Sequence, residues 1–148
     1  MEYKDIRWKQ RFANYERAFN RLQEAMQAEE LNELERNGLV QRFEFTLELA
    51  WKTTKDFLEE KGFLFKPSPK DSFRQAQEAQ YITYAQALID GLDLRNELSH
   101  DYDGQKFENA EKQLRHETFP ALKELYHFFL KQKDESQLNI VDEEGGKQ

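Results

Sequence analysis

Large apolar residues of this chain recur at steps of three and four from Trp8 to Phe128, and only six glycines and three prolines interrupt its 148 residues. That spacing draws stripes along helices and leaves few places for hairpin turns. It predicts five helical segments and no convincing strand. The first, over residues 6–27, sets Trp8, Phe12, Tyr15, Phe19, Leu22 and Met26 on one face and Arg7, Arg11, Arg17 and Arg21 elsewhere. Polar residues over 29–37 read as a connection.

The second segment, residues 38–60, is the most apolar. Leu39, Phe43, Leu47, Ala50 and Phe57 form one stripe, Val40, Trp51 and Leu58 an adjacent one, and Phe45 and Leu49 lie further round. Three stripes exceed what one partner helix covers, so this helix is central in a bundle or also buried between subunits. Lys61-Gly62 supplies its stop. KGFLFKPSPKDSF is the clearest loop. Ser68-Pro69, with Asp71 at a capping-box-like spacing, opens a short third helix over 69–80. The fourth covers 84–99, with Leu88, Leu92, Arg95 and Ser99 on one line. The fifth begins near Gly104, with Asp103 as its N-cap, and Pro120 should kink or split it near 117–119. The expected fold is an all-α, up-down bundle of four long helices and one short one, occupying residues 1–133 as one domain. Residues 134–148 lack periodicity and read as a disordered acidic tail.

The composition excludes some chemistry. There is no cysteine, hence no disulfide, thiolate nucleophile or Cys-based zinc site. No apolar run is long enough to span a membrane, and the N-terminus MEYKDIRWKQ has no signal-peptide core. A cytoplasmic home is expected. The net charge is −7, of which the tail from Asp134 carries −4, so the body is only mildly acidic. Nothing global advertises nucleic-acid binding, and any RNA contact has to be local.

Residues 95–102, RNELSHDY, gather Arg95, Asn96, His100 and Tyr102 at a helix end. One account is purely structural: His100 complements the helix dipole, Arg95 pairs with a nearby acid, and Tyr102 packs past the helix end. The other is chemical. A histidine can move a proton near neutral pH, and an arginine offers a fixed fork of donors to phosphate oxygens. Positions five apart on a regular helix differ by about 140°, so Arg95 and His100 converge only if the helix ends or tightens just before His100. Together they could bind a phosphodiester, take a proton from a ribose 2′-hydroxyl and stabilise charge on phosphorus, with no metal. One histidine cannot be both acid and base, but two subunits bring two.

Arg95-Asn96-x-x-x-His100 resembles the signature of the HEPN superfamily of small helical ribonucleases. With Tyr102 it becomes R-x4-H-x-Y, similar to the HepT-type toxins, and QRFEFTLELAWKTTKDFLEEKG over 41–62 is similar to the same family, also described as nucleotidyltransferase substrate-binding proteins. The resemblance covers roughly residues 10–130. It implies a homodimeric, metal-independent endoribonuclease toxin without a cofactor, in which Arg95 and His100 are the catalytic pair and Asn96 helps orient them. It implies that a minimal nucleotidyltransferase acts as antitoxin by transferring AMP from ATP to the Tyr102 hydroxyl. An AMP there would lie against the RNA phosphate site. The alternative is a non-catalytic subunit that presents a substrate to a nucleotidyltransferase.

Other residue groups are weaker. His116 and His127 lie about three turns apart and read as structural or surface residues. Glu44 and Glu48 could be an acid/base pair, but a solvated face beside Lys52 and Lys55 is simpler. Arg7, Arg11, Arg17 and Arg21 could guide RNA, although Asp5, Glu16 and Glu24 dilute them. No glycine-rich phosphate loop is present.

Overall fold

The structure is a computed structural model that describes the backbone over residues 2–100 and 104–146 and side chains over 6–99 and 104–137. Six α-helices follow in order: α1 (Glu2–Ala25), α2 (Glu33–Glu60), α3 (Pro69–Glu78), α4 (Ala85–His100), α5 (Gly104–Gln113) and α6 (Phe119–Gly146). A π-helical turn, Leu114–Thr118, joins α5 to α6 without a break. Counted as one rod, these last three pieces complete the expected set of four long helices and one short one. No strand occurs among the described residues.

Local signals explain the boundaries. α2 starts five residues earlier than its apolar pattern suggests, because Asn32 and Glu35 form a capping box: Glu35 N donates to Asn32 Oδ1 at 2.8 Å and Asn32 N to Glu35 Oε1 at 3.0 Å. The stretch expected to be a connection is therefore partly helix. At the other end Gly62 takes φ 87°, and Phe63 N donates to Leu58 O at 3.0 Å, the bond pattern that a left-handed glycine permits. Ser68 caps α3 by accepting from Asp71 N at 3.2 Å, while its hydroxyl reaches Asp71 Oδ2 at 2.7 Å.

Pro120 has the consequence expected of it, in a specific form. Lacking an N–H, it cannot donate to the carbonyl of residue 116. The preceding turn widens, and Phe119 N donates to Leu114 O, five residues back, so the helix continues through a π turn rather than splitting. Within that turn Arg115 reaches across to α1's end. Its Nη1 and Nη2 donate to the carbonyls of Met26 (2.7 Å) and Ala28 (2.9 Å), and its Nε to Glu111 (2.9 Å).

α2 is the central helix: it packs on α1, α3, α4 and α6. The core joins Trp8, Phe12, Tyr15 and Phe19 of α1 to Phe43, Leu47 and Phe57 of α2 and to Leu122, Leu125 and Phe129 of α6. Aromatic rings meet edge-on at its centre, as for Trp8 and Phe57 at 5.1 Å, a geometry favoured by their quadrupoles. Tyr15 is fully buried, and its hydroxyl donates to Leu122 O at 2.6 Å. Gly91 of α4 is where that helix crosses the π turn: an added Cβ would lie 2.9 Å from Thr118 Cγ2.

Beyond Lys133, where the sequence reading expects a disordered tail, the backbone stays helical through Gly146. No proline or glycine interrupts 134–144, and Lys9 Nζ donates to Ser136 Oγ at 2.7 Å, tying the first turn beyond Lys133 to α1.

Candidate functional site: a groove between the first, second and fourth helices

A hollow of about 810 Å³ opens along α2. Gln41, Glu44, Phe45 and Glu48 recur at helical spacing on its floor, Ala18 and Arg21 come from α1, and Arg95 comes from the last turns of α4. Of the third apolar stripe of α2, Phe45 lines this groove and Leu49 the smaller hollow beside it. The other two stripes are covered by neighbouring helices, whereas Phe45 remains 61% exposed.

Each charged group in the groove is held differently. Arg95 Nη1 lies 4.0 Å from Glu48 Oε2, a loose pair with both side chains near a third exposed or more. Glu48 is also gripped from its own helix, by Lys52 Nζ at 2.9 Å and by Trp51 Nε1, which donates at 3.1 Å. Partial burial opposes the charge on Glu48, but the hydrogen bonds from Lys52 and Trp51 and the charges of Lys52 and Arg95 outweigh it and hold its carboxyl below the ordinary value. The Ser99 hydroxyl donates to Glu44 Oε1 at 2.5 Å and also sits 2.8 Å from Arg95 O, which docks the end of α4 on α2. Arg42 is turned toward α1, where its Nη1 donates to the Arg21 carbonyl at 2.8 Å. The Arg21 guanidinium has no hydrogen bond or ion pair among the described residues and is exposed.

Of the residues singled out in RNELSHDY, Arg95 lines the groove and Asn96 is exposed beside it. α4 runs on through His100, so the two positions of the R-x4-H motif both sit on helical backbone, and the condition that the helix stop before His100 is not met. The His100 imidazole, Tyr102 and the Asp103 cap lie outside the described residues.

A family profile described as "Nucleotidyltransferase substrate binding protein like" matches residues 10–131. The chain belongs to this family. It is the HEPN/HepT-like family to which FEFTLELAWK and RNELSHDY point. Among solved structures, this nucleotidyltransferase substrate-binding-like chain is similar to a protein of Thermus thermophilus known from its crystal structure. The two share 26% identity and a TM-score of 0.66 over 75% of this chain and 94% of that one. Comparison with curated proteins finds no match. The matched residues span α1 to the middle of α6 and contain the whole groove.

The groups outside the groove have structural work. Arg11 Nε donates to Asp56 Oδ2 at 3.0 Å, and Asp56 is fully buried, with Lys55 Nζ 3.8 Å from its other oxygen. Sequence reasoning passed over Asp56. Its signal was an acid on the α2 line occupied otherwise by Leu and Phe. Arg17 turns back to Asn14 on its own helix. Thus Arg11 and Arg17 are engaged, and of the four α1 arginines only Arg21 lines the groove. Tyr126, on α6, donates to Glu16 Oε2 at 2.7 Å; burial and that carboxylate push its phenol up to about 12.

Proposed function

We propose that this protein is a metal-independent endoribonuclease toxin, active as a homodimer and neutralised by a partner nucleotidyltransferase that transfers AMP to Tyr102. The observation that carries the reading is Arg95: the motif arginine of a HEPN/HepT-like chain lines an open groove, and its one ionic partner among the described residues is Glu48 at 4.0 Å. Most of its five donors remain available to phosphate oxygens.

In this reading Arg95 binds a phosphodiester and stabilises the charge that builds on its oxygens. His100 takes the proton from the ribose 2′-hydroxyl as the 2′-oxygen attacks phosphorus and the 5′-oxygen leaves. The partner subunit's copy of the same histidine returns a proton to that leaving oxygen. Asn96 orients the pair, whose positions lie about 140° apart on α4, so the reading requires the second subunit to complete the cleft that brings them to one phosphate. AMP on Tyr102, two residues beyond His100, would set a phosphate against Arg95 and shut out RNA.

The family's description favours a second reading, in which the chain presents a substrate to a nucleotidyltransferase and cleaves nothing. Expression of the chain alone separates them, beside Arg95→Ala, His100→Ala and Tyr102→Phe versions, with growth and total RNA as readouts. The nuclease reading expects growth arrest and RNA cleavage that vanish with Arg95→Ala and His100→Ala and persist with Tyr102→Phe. Healthy cells with intact RNA from all four, each folded and unmodified, would overturn it in favour of the presenting subunit.

A further inference from the structure

Phe45 stands out in the middle of the central helix; the other exposed large apolar residue of α2, Leu34, lies in its first turn. Phe45 is a large apolar ring, 61% exposed, while its neighbours Phe43 and Leu47 are fully buried. An exposed ring on an otherwise well-buried helix has lost the hydrophobic stabilisation that its neighbours keep. The ring stands between two hollows, the groove of about 810 Å³ that holds Arg95 and a smaller one of about 340 Å³ lined by Asn14, Arg17, Ala18, Arg21 and Leu49. Arg21 borders both, and its guanidinium is unengaged. The acids nearby are already committed, Glu48 to Lys52 and Trp51 and Glu44 to Ser99. The surroundings of the ring therefore present four arginines, Arg17, Arg21, Arg42 and Arg95, against two engaged glutamates on a chain that is acidic overall.

An exposed aromatic face flanked by cations is the arrangement that holds a single-stranded nucleotide: the ring stacks on a base and the cations take the phosphates on either side. We infer that Phe45 is a nucleobase platform for single-stranded RNA, with Arg21 as a phosphate contact one step along the strand from the phosphate at Arg95. The inference rests on the nuclease reading for its substrate class and adds the surface that positions the strand. A duplex does not fit it, because its bases are already stacked and cannot lie on Phe45. A second copy of this chain is the competing occupant of an exposed apolar face. The nuclease reading brings a second subunit to the Arg95 end of the groove, but Arg17, Arg21 and Arg42 around the ring argue against closing the Phe45 end on a second copy, since two identical faces packed on each other bring the same cations together.

The test uses the full chain and a mixed-sequence 2′-O-methyl decanucleotide, whose blocked 2′-oxygens cannot attack phosphorus. Binding is followed by fluorescence anisotropy over a range of salt, and sedimentation fixes the oligomeric state of every variant. Phe45→Leu keeps an apolar side chain without a π face and should weaken binding by about tenfold, whereas Phe45→Trp should restore it. Arg21→Gln should lower the salt slope by about one. Oligomeric state should be unchanged throughout. Equal affinity of Phe45→Leu and wild type would overturn the platform, and so would dissociation of the Phe45→Leu oligomer, which would give this face to a second copy. Either result leaves the nuclease reading intact if wild type still cuts unmodified RNA. Wild-type chain that neither binds the decanucleotide nor cuts RNA sinks the nuclease reading itself and the platform with it.

Discussion

Arg95 Nη1 sits 4.0 Å from Glu48 Oε2, so the motif arginine shares a carboxylate that Lys52 and Trp51 already hold. The contact is long and exposed, which makes it a weak tether. It positions the guanidinium at the mouth of the groove without saturating it.

Replacing Glu48 by Gln should therefore free Arg95 while keeping the side chain's shape. The expected result is tighter binding of an uncleavable RNA analogue, by about two- to fivefold, with stability changed by no more than about 1 kcal/mol. Because the folded state holds the Glu48 carboxyl below its ordinary value of 4.5, its stabilising contribution is present above that value and is lost as pH falls through and below it. Melting curves of wild type and Glu48→Gln should differ most at neutral pH and draw together as pH falls below 4.5. A gap that widens on acidification would contradict this.

The crossing of α4 over the π turn predicts a paired effect. Gly91→Ala should gain some helix propensity but force a methyl to 2.9 Å from Thr118 Cγ2, for a net loss of about 1–2 kcal/mol. Thr118→Ser removes the obstructing methyl, so the double variant should recover most of the loss. A double-mutant cycle by urea denaturation reads the coupling, and additive losses would show that the two residues are not in contact.

Alkaline titration should find the α1–α6 seam. The folded state holds the Tyr126 phenol at about 12, above its ordinary 10, and burial pushes Tyr15 up as well. A proton held more tightly in the folded chain stabilises it fully below pH 10 and progressively less as pH rises toward 12. Wild-type melting temperature should fall through that window, and Tyr126→Phe should flatten the fall. An unchanged slope in Tyr126→Phe would remove the phenol from the account.

Much of this architecture was legible in the sequence because helical period is a strong signal. The three stripes of α2 announced a central helix, and Pro120 announced an irregularity within a few residues of where it lies. Asn32 was missed because attention to apolar period hid an N-x-x-E capping box. The helical extension past Lys133 was missed because a polar segment can continue a helix whose earlier turns are already packed. At the site, the motif located Arg95, but the groove around it draws Ala18, Arg21 and Phe45 from other helices, and no spacing rule joins those positions. Exposure of Phe45 was equally hidden, since its stripe reads like any buried one.

The widened turn at Leu114–Thr118 has a consequence for how this rod can change. It carries one residue more than a straight helix would place there, so it acts as a phase correction between two lengths of apolar seam, Phe107–Ala110 before it and Ala121–Phe129 after it. Deleting one residue in the turn would restore a regular spiral and leave Ala121–Phe129 in step with α1, because the extra residue adds no rotation to the rod. The same deletion in a regular part of the rod would rotate everything beyond it by about 100°, so this turn is where a change of one residue could be absorbed.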